Sequence, residues 1–153
     1  VLRGDAEETI DVVVGERPGG EGAGFLGIAT EEIADVPFEV VFNLADIGGP
    51  SAGLMFSLAL VDKLSPGEIN GGLDVAGTGT IDSDGIVGPI GGITHKLTAA
   101  DEDGAEVFLV PADNCAEALT NEPDDVRLVR VETLEGAAAA LESIAAGGDA
   151  PTC

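Results

Sequence analysis

The run Gly48-Gly49-Pro50-Ser51-Ala52-Gly53, followed by the apolar stretch Leu54 to Val61, constrains this chain more than any other segment. Glycine permits φ > 0 and close approach of another stretch of backbone, and proline presets the φ of a first helical turn. The pattern predicts a helix over 51–64, ended by Ser65-Pro66-Gly67, with Ser51 at its N-terminus. Unpaired N–H groups and the helix dipole favour negative charge at such a position. A nucleophile whose product is an oxyanion gains from it. The plain alternative is a helix start that happens to use serine.

At 153 residues and 44% hydrophobic, the chain is long enough to bury a core and apolar enough to fold. Twenty-nine acidic residues face six basic ones, for a formal net charge of −23. That balance repels nucleic acid and anionic lipid and suits solubility or a cation-rich setting. The acids are dispersed as Glu7-Glu8, Glu31-Glu32, Asp101-Glu102-Asp103 and Asp124-Asp125, which reads as a solvated face. Neither a C-x-x-C nor a His/Cys metal spacing occurs, so no metal is expected. The two cysteines, Cys115 and Cys153, fit one disulfide tying the C-terminal tail to the body in an oxidising compartment; two separate thiols are the alternative. No apolar run is long enough to span a membrane, and no signal peptide is visible. The chain opens on Val1 without Met and is expected to be a fragment or a processed product.

Short strands are expected over 1–5 and 9–14, the second carrying Val12-Val13-Val14. Residues 18–24, of which five of the seven are Pro or Gly, read as a linker and the best domain boundary. Strands are expected at 25–30, 38–44, 73–77, 106–110 and 127–131, and a hairpin turning at Asp84-Gly85. Helices are expected at 93–102, at 113–119 with Asp113 as N-cap, and at 133–146. Strands and helices mix without a regular βαβ period, so the fold class is read as α+β.

Few groups could take a proton from Ser51. Lys63 lies on the same predicted helix, about 18 Å away at ~1.5 Å per residue, and is excluded. His95 and Lys96 remain, within Gly91-Gly92-Ile93-Thr94-His95-Lys96-Leu97. Successive helical residues point about 100° apart, so only one of the two can face the serine.

Four motifs now stand in order: Gly49-Pro50-Ser51-Ala52-Gly53, Ala76-Gly77-Thr78-Gly79, Gly88-Pro89-Ile90-Gly91-Gly92-Ile93-Thr94-His95-Lys96, and Val110-Pro111-Ala112-Asp113-Asn114. Over roughly 38–120 this series resembles the proteolytic domain of Lon-family peptidases. The Ala-Gly-Thr-Gly-Thr and Pro-Ala-Asp-Asn-Cys versions are most similar to the bacterial branch in which a membrane anchor and a PDZ domain precede the protease. The resemblance implies the Lon proteolytic-domain fold (ribosomal protein S5 domain 2-like), with mixed sheets and packed helices. It implies that 1–20 are a PDZ remnant plus linker, 21–147 the proteolytic domain and 148–153 a tail.

The same resemblance implies a Ser–Lys dyad. Ser51 falls on the nucleophile, Lys96 on the general base, and Thr78 on the threonine whose hydroxyl is expected to hold the lysine. Gly49, Pro50, Ala52 and Gly53 form the substrate and oxyanion neighbourhood. Thr80 and Thr94-His95 depart from ATP-dependent members, which carry Glu and a charged pair there. No phosphate-loop motif occurs, so this chain alone has no ATPase and needs no cofactor. A lysine serves as base only when neutral, and desolvation penalises its charged form. The −23 background opposes this, yet charges beyond about 8 Å are heavily screened at physiological salt. An apolar pocket walled by Ile90, Ile93 and Leu97 is therefore expected around Lys96.

The implied activity is an endopeptidase acting on unfolded or extended polypeptide. The implied setting is the extracytoplasmic side of a membrane, with a homo-oligomeric ring, commonly of six, as the assembly. A non-catalytic or anion- and nucleotide-binding module of the same fold is the alternative, because Gly-rich turns before helix N-termini bind anions. The scarcity of basic residues stands against it.

Overall fold

The computed structural model describes residues 1–3, 6–16, 24–25, 37, 39–41 and 49–153. The expected linker and the strands over 25–30 and 38–44 lie wholly or largely outside the described residues. The chain divides into two compact units, Val1–Asn43 and Leu44–Cys153.

In the first unit, β1 (Leu2–Arg3) pairs antiparallel with β2 (Ala6–Glu7), and β3 (Gly15–Glu16) with β4 (Gly24–Phe25). The stretch 9–14 forms no strand, and Val13 is 97% exposed. β-Branched residues favour strands where a face packs against them, and Val13 has no such face.

The second unit is built on a parallel sheet. It contains α1 (Gly53–Leu64), β5 (Val75–Gly77), β6 (Thr80–Ile81), β7 (Val87–Gly88), α2 (Ile93–Glu102), β8 (Val107–Pro111), α3 (Cys115–Ala118), β9 (Arg127–Val131) and α4 (Leu134–Ala145). Strands β5, β8 and β9 pair in that order, all parallel, with Val75 opposite Val107 and Val107 opposite Arg127. β6 and β7 form a separate antiparallel hairpin. All five residues of β8 are buried, as expected for a central parallel strand covered on both faces.

The two-residue alternation of a strand divides the core. Val107, Leu109, Val129 and Val131 face α1 and α4, where Leu54, Leu58, Ala137 and Leu141 pack against them. Phe108, Val110 and Leu128 face the other way, toward Ile93, Leu97 and Ala100 of α2 and Ala118 of α3. The stripe Ile93, Leu97, Ala100 keeps helical spacing, which is why α2 occupies the residues expected of it.

Mixed helices and sheets are consistent with the α+β reading. The parallel pairing, with α2 and α3 as successive crossovers, was not legible because the crossover segments differ in length. Asp113 does not cap α3; a 3-10 turn, Ala112–Asn114, precedes that helix and no side chain caps it. Thr133 does cap α4, accepting from the Gly136 N–H at 3.0 Å.

The last residues fold back on the sheet. The Arg130 N–H donates to the Pro151 carbonyl at 3.0 Å, Thr152 bridges Val129, and the Cys115 and Cys153 sulfurs are bonded at 2.08 Å.

Candidate active site

Ser51 sits in a 3-10 turn, Pro50–Ala52, that runs directly into α1. Gly49 precedes it at φ 98°, a conformation that L side chains rarely adopt, and Pro50 follows as the first residue of the turn. Ser51 and Ala52 are half-buried. The main-chain carbonyl of Ser51 accepts two hydrogen bonds from the end of β5: the Thr78 hydroxyl at 2.8 Å and the Gly79 N–H at 2.9 Å. The Leu54 N–H returns a bond to the Gly79 carbonyl at 3.1 Å, and the Gly53 N–H donates to the Pro50 carbonyl. The serine turn is thus fastened to β5 by its backbone.

Gly79 allows this approach because it has no side chain. A Cβ there would lie 2.8 Å from Val87 Cγ1 and 3.3 Å from Leu54 Cβ. Thr78 is only 2% exposed, and its hydroxyl proton is committed to Ser51.

Lys96 lies in the first turn of α2, half-buried, while His95 beside it is exposed. Its N–H donates to the carbonyl of Gly92, the helix N-cap at φ 70°. Ile93 and Leu97 are fully buried against the sheet and anchor the helix there, and Ile90 packs on the same cluster. Among the described residues, no hydrogen bond joins the Lys96 amine to Ser51 or Thr78. The structure therefore brings Ser51 and Thr78 into direct contact, and places Lys96 by the position of its helix.

That position is set by the segment 78–92, which crosses the carboxyl ends of all three parallel strands. Gly79 is bonded to Ser51 just beyond β5, the Val87 N–H donates to the Glu132 carbonyl beyond β9 at 2.8 Å, and Ile90 is bonded to Asn114 beyond β8. The turn that carries Ser51 is bonded to this edge, and α2, with Lys96 in its first turn, starts from it. In open α/β sheets the carboxyl edge is where ligand sites are built. Asn114 was read from the sequence only as part of a motif; its partner is 24 residues away, and no local pattern identifies it. A hollow of about 180 Å³ lined by Met55, Leu58, Asp62 and Leu141 lies elsewhere along α1 and contains neither Ser51 nor Lys96.

Residues 45–142 match the family profile described as Lon protease (S16) C-terminal proteolytic domain. The chain is 38% identical over 104 residues to Lon protease 1 of Sorangium cellulosum, covering 67% of this chain and 12% of that protein. It is 35% identical over 116 residues to Lon protease of Haemophilus influenzae, covering 72% and 14%. With the peroxisomal Lon protease homolog 2 of Caenorhabditis elegans the identity is 33% over 120 residues, covering 76% and 15%. The matched region thus spans under one sixth of the length of each of these relatives.

Proposed function

The chain belongs to the Lon protease (S16) C-terminal proteolytic domain family, and on that premise we propose that it is a serine endopeptidase working through a Ser51–Lys96 dyad. The observation that carries this reading is the shared carboxyl edge, where the Ser51 turn is bonded to Thr78 and Gly79 and where the lysine helix begins. The neutral Lys96 amine takes the Ser51 hydroxyl proton as Oγ attacks the scissile carbonyl carbon. The tetrahedral oxyanion is received by backbone N–H groups of the serine turn. Those of Gly53 and Leu54 are already committed to the Pro50 and Gly79 carbonyls, which favours the N–H groups upstream of them. Collapse breaks the C–N bond, and the Lys96 ammonium returns the proton to the leaving amine. Water, deprotonated by the same amine, then releases the acyl group.

The substrate class is unfolded or extended polypeptide. No nucleotide-binding motif occurs in this chain, so the hydrolytic step is ATP-independent here. The motif variants favour the branch with a PDZ domain and a membrane anchor, working extracytoplasmically as a ring. The Cys115–Cys153 bond supports an oxidising compartment.

Labelling with a fluorophosphonate probe, located by mass spectrometry, tests the dyad. The adduct is expected on Ser51 in the wild type, absent in Ser51→Ala, and slowed roughly 10²- to 10⁴-fold in Lys96→Ala, the range of a lost general base. An inert Ser51 in folded wild type, or equal labelling without Lys96, defeats the reading. Binding of a phosphorylated ligand unaffected by Ser51→Ala would then favour the anion-binding alternative.

A further inference from the structure

We infer that Asn114 is a positioning residue for Lys96, acting through Ile90 and the start of α2; the inference rests on the Ser–Lys reading. The Ile90 N–H donates to Asn114 Oδ1 at 2.9 Å, and Asn114 Nδ2 donates to the Ile90 carbonyl at 2.9 Å. One side-chain amide therefore satisfies both main-chain groups of a single residue, as a neighbouring strand would. Only a planar group holding one acceptor and one donor can do this; Asp at neutral pH offers acceptors alone and an apolar side chain offers neither. Asn114 is 4% exposed, so the pairing is shielded from competing water.

Both ends of this link are fixed. Asn114 follows Pro111, the buried last residue of the central strand β8, and precedes Cys115, which is bonded to Cys153. Ile90 lies two residues before Gly92, whose left-handed conformation starts α2 and whose carbonyl receives the Lys96 N–H at 3.4 Å. The central strand thereby sets where α2 begins, and so where the lysine side chain leaves the helix. The partner turn at Ser51 is held separately, by Thr78 and Gly79 on β5. The two halves of the dyad are positioned from two neighbouring strands, and Asn114 is the side chain that fastens the lysine half.

A double-mutant cycle tests this, using fluorophosphonate acylation of Ser51 in wild type, Asn114→Ala, Lys96→Ala and the double variant. Asn114→Ala is expected to slow acylation ~10- to 100-fold, the scale of a small misplacement of a reacting group. It is expected to change nothing further in the Lys96→Ala background, since the two substitutions act through one group. Hydrogen exchange of the Ile90 amide and the first turn of α2 should accelerate in Asn114→Ala, while the amides of β8 stay protected. If Asn114→Ala does not fold, Asn114→Asp, which keeps an acceptor for the Ile90 N–H, takes its place in the cycle with the same expected pattern. Full-rate acylation in the folded variant, or an equal slowing with and without Lys96, overturns the inference and leaves the dyad standing. An inert Ser51 in wild type overturns the dyad reading and the positioning role with it.

Discussion

The Thr78 hydroxyl donates to the main-chain carbonyl of Ser51 at 2.8 Å, so the candidate nucleophile hangs from the end of β5 by its own backbone. The Gly79 N–H shares that carbonyl at 2.9 Å. The Thr78 proton is therefore not free to be donated to a neutral lysine amine, while the lone pairs of its oxygen stay open to an ammonium.

Replacing Thr78 separates these roles. Thr78→Val removes the hydroxyl at nearly constant shape, and the Ser51 carbonyl keeps the Gly79 N–H. The expected cost is about 1 kcal/mol of stability by denaturant unfolding, with slower Ser51 labelling at a temperature where the variant is folded. Thr78→Ser should retain most of the labelling rate. Equal rates in all three proteins would remove Thr78 from the site.

Gly79→Ala tests the close approach. The added methyl meets Val87 and Leu54 at distances that force a shift, and overpacking of this kind costs typically 1–3 kcal/mol. The midpoint in urea should fall accordingly. An unchanged midpoint would show that the β5 end relaxes freely around the serine turn.

The disulfide closes a loop over a sequence separation of 38 residues. Cys153→Ser is expected to lower stability by about 2–4 kcal/mol, mainly by releasing the unfolded chain. A thiol count under denaturing, non-reducing conditions should find none. Two reactive thiols in freshly prepared protein would contradict the bond.

A net charge of −23 makes the folded state repel itself. Raising monovalent salt from about 0.01 M to 0.15 M shortens the screening length from about 30 Å to about 8 Å. The thermal midpoint should rise by roughly 2–4 °C, the shift that about 1 kcal/mol produces at this size. A midpoint that falls would place the stabilising electrostatics in short-range pairs, of which Arg130–Glu132 is one.

The local elements were largely legible. The stripe Ile93, Leu97, Ala100 and the break at Gly92 define α2, and the unbroken apolar run Val107 to Val110 defines β8. The stretch Val12-Val13-Val14 shows the limit: β propensity is a preference for a packed, pleated face, and these residues lack one. Asp113 shows another, because a capping residue type does not cap when the chain enters the helix through a 3-10 turn.

By itself, then, the sequence determined the serine turn, the helix that follows it, and the motif order by which family membership was expected. Those features rest on backbone conformation and spacing within a few residues, which local chemistry dictates. Only the tertiary structure decided that β5, β8 and β9 run parallel, and that 78–92 crosses their carboxyl ends. It alone tied Ser51 to Thr78 and Asn114 to Ile90. Those pairings join residues 27 and 24 positions apart; they exist because the parallel pairing of β5 with β8 sets their carboxyl ends side by side, where buried polar groups take their partners from the segments that cross there.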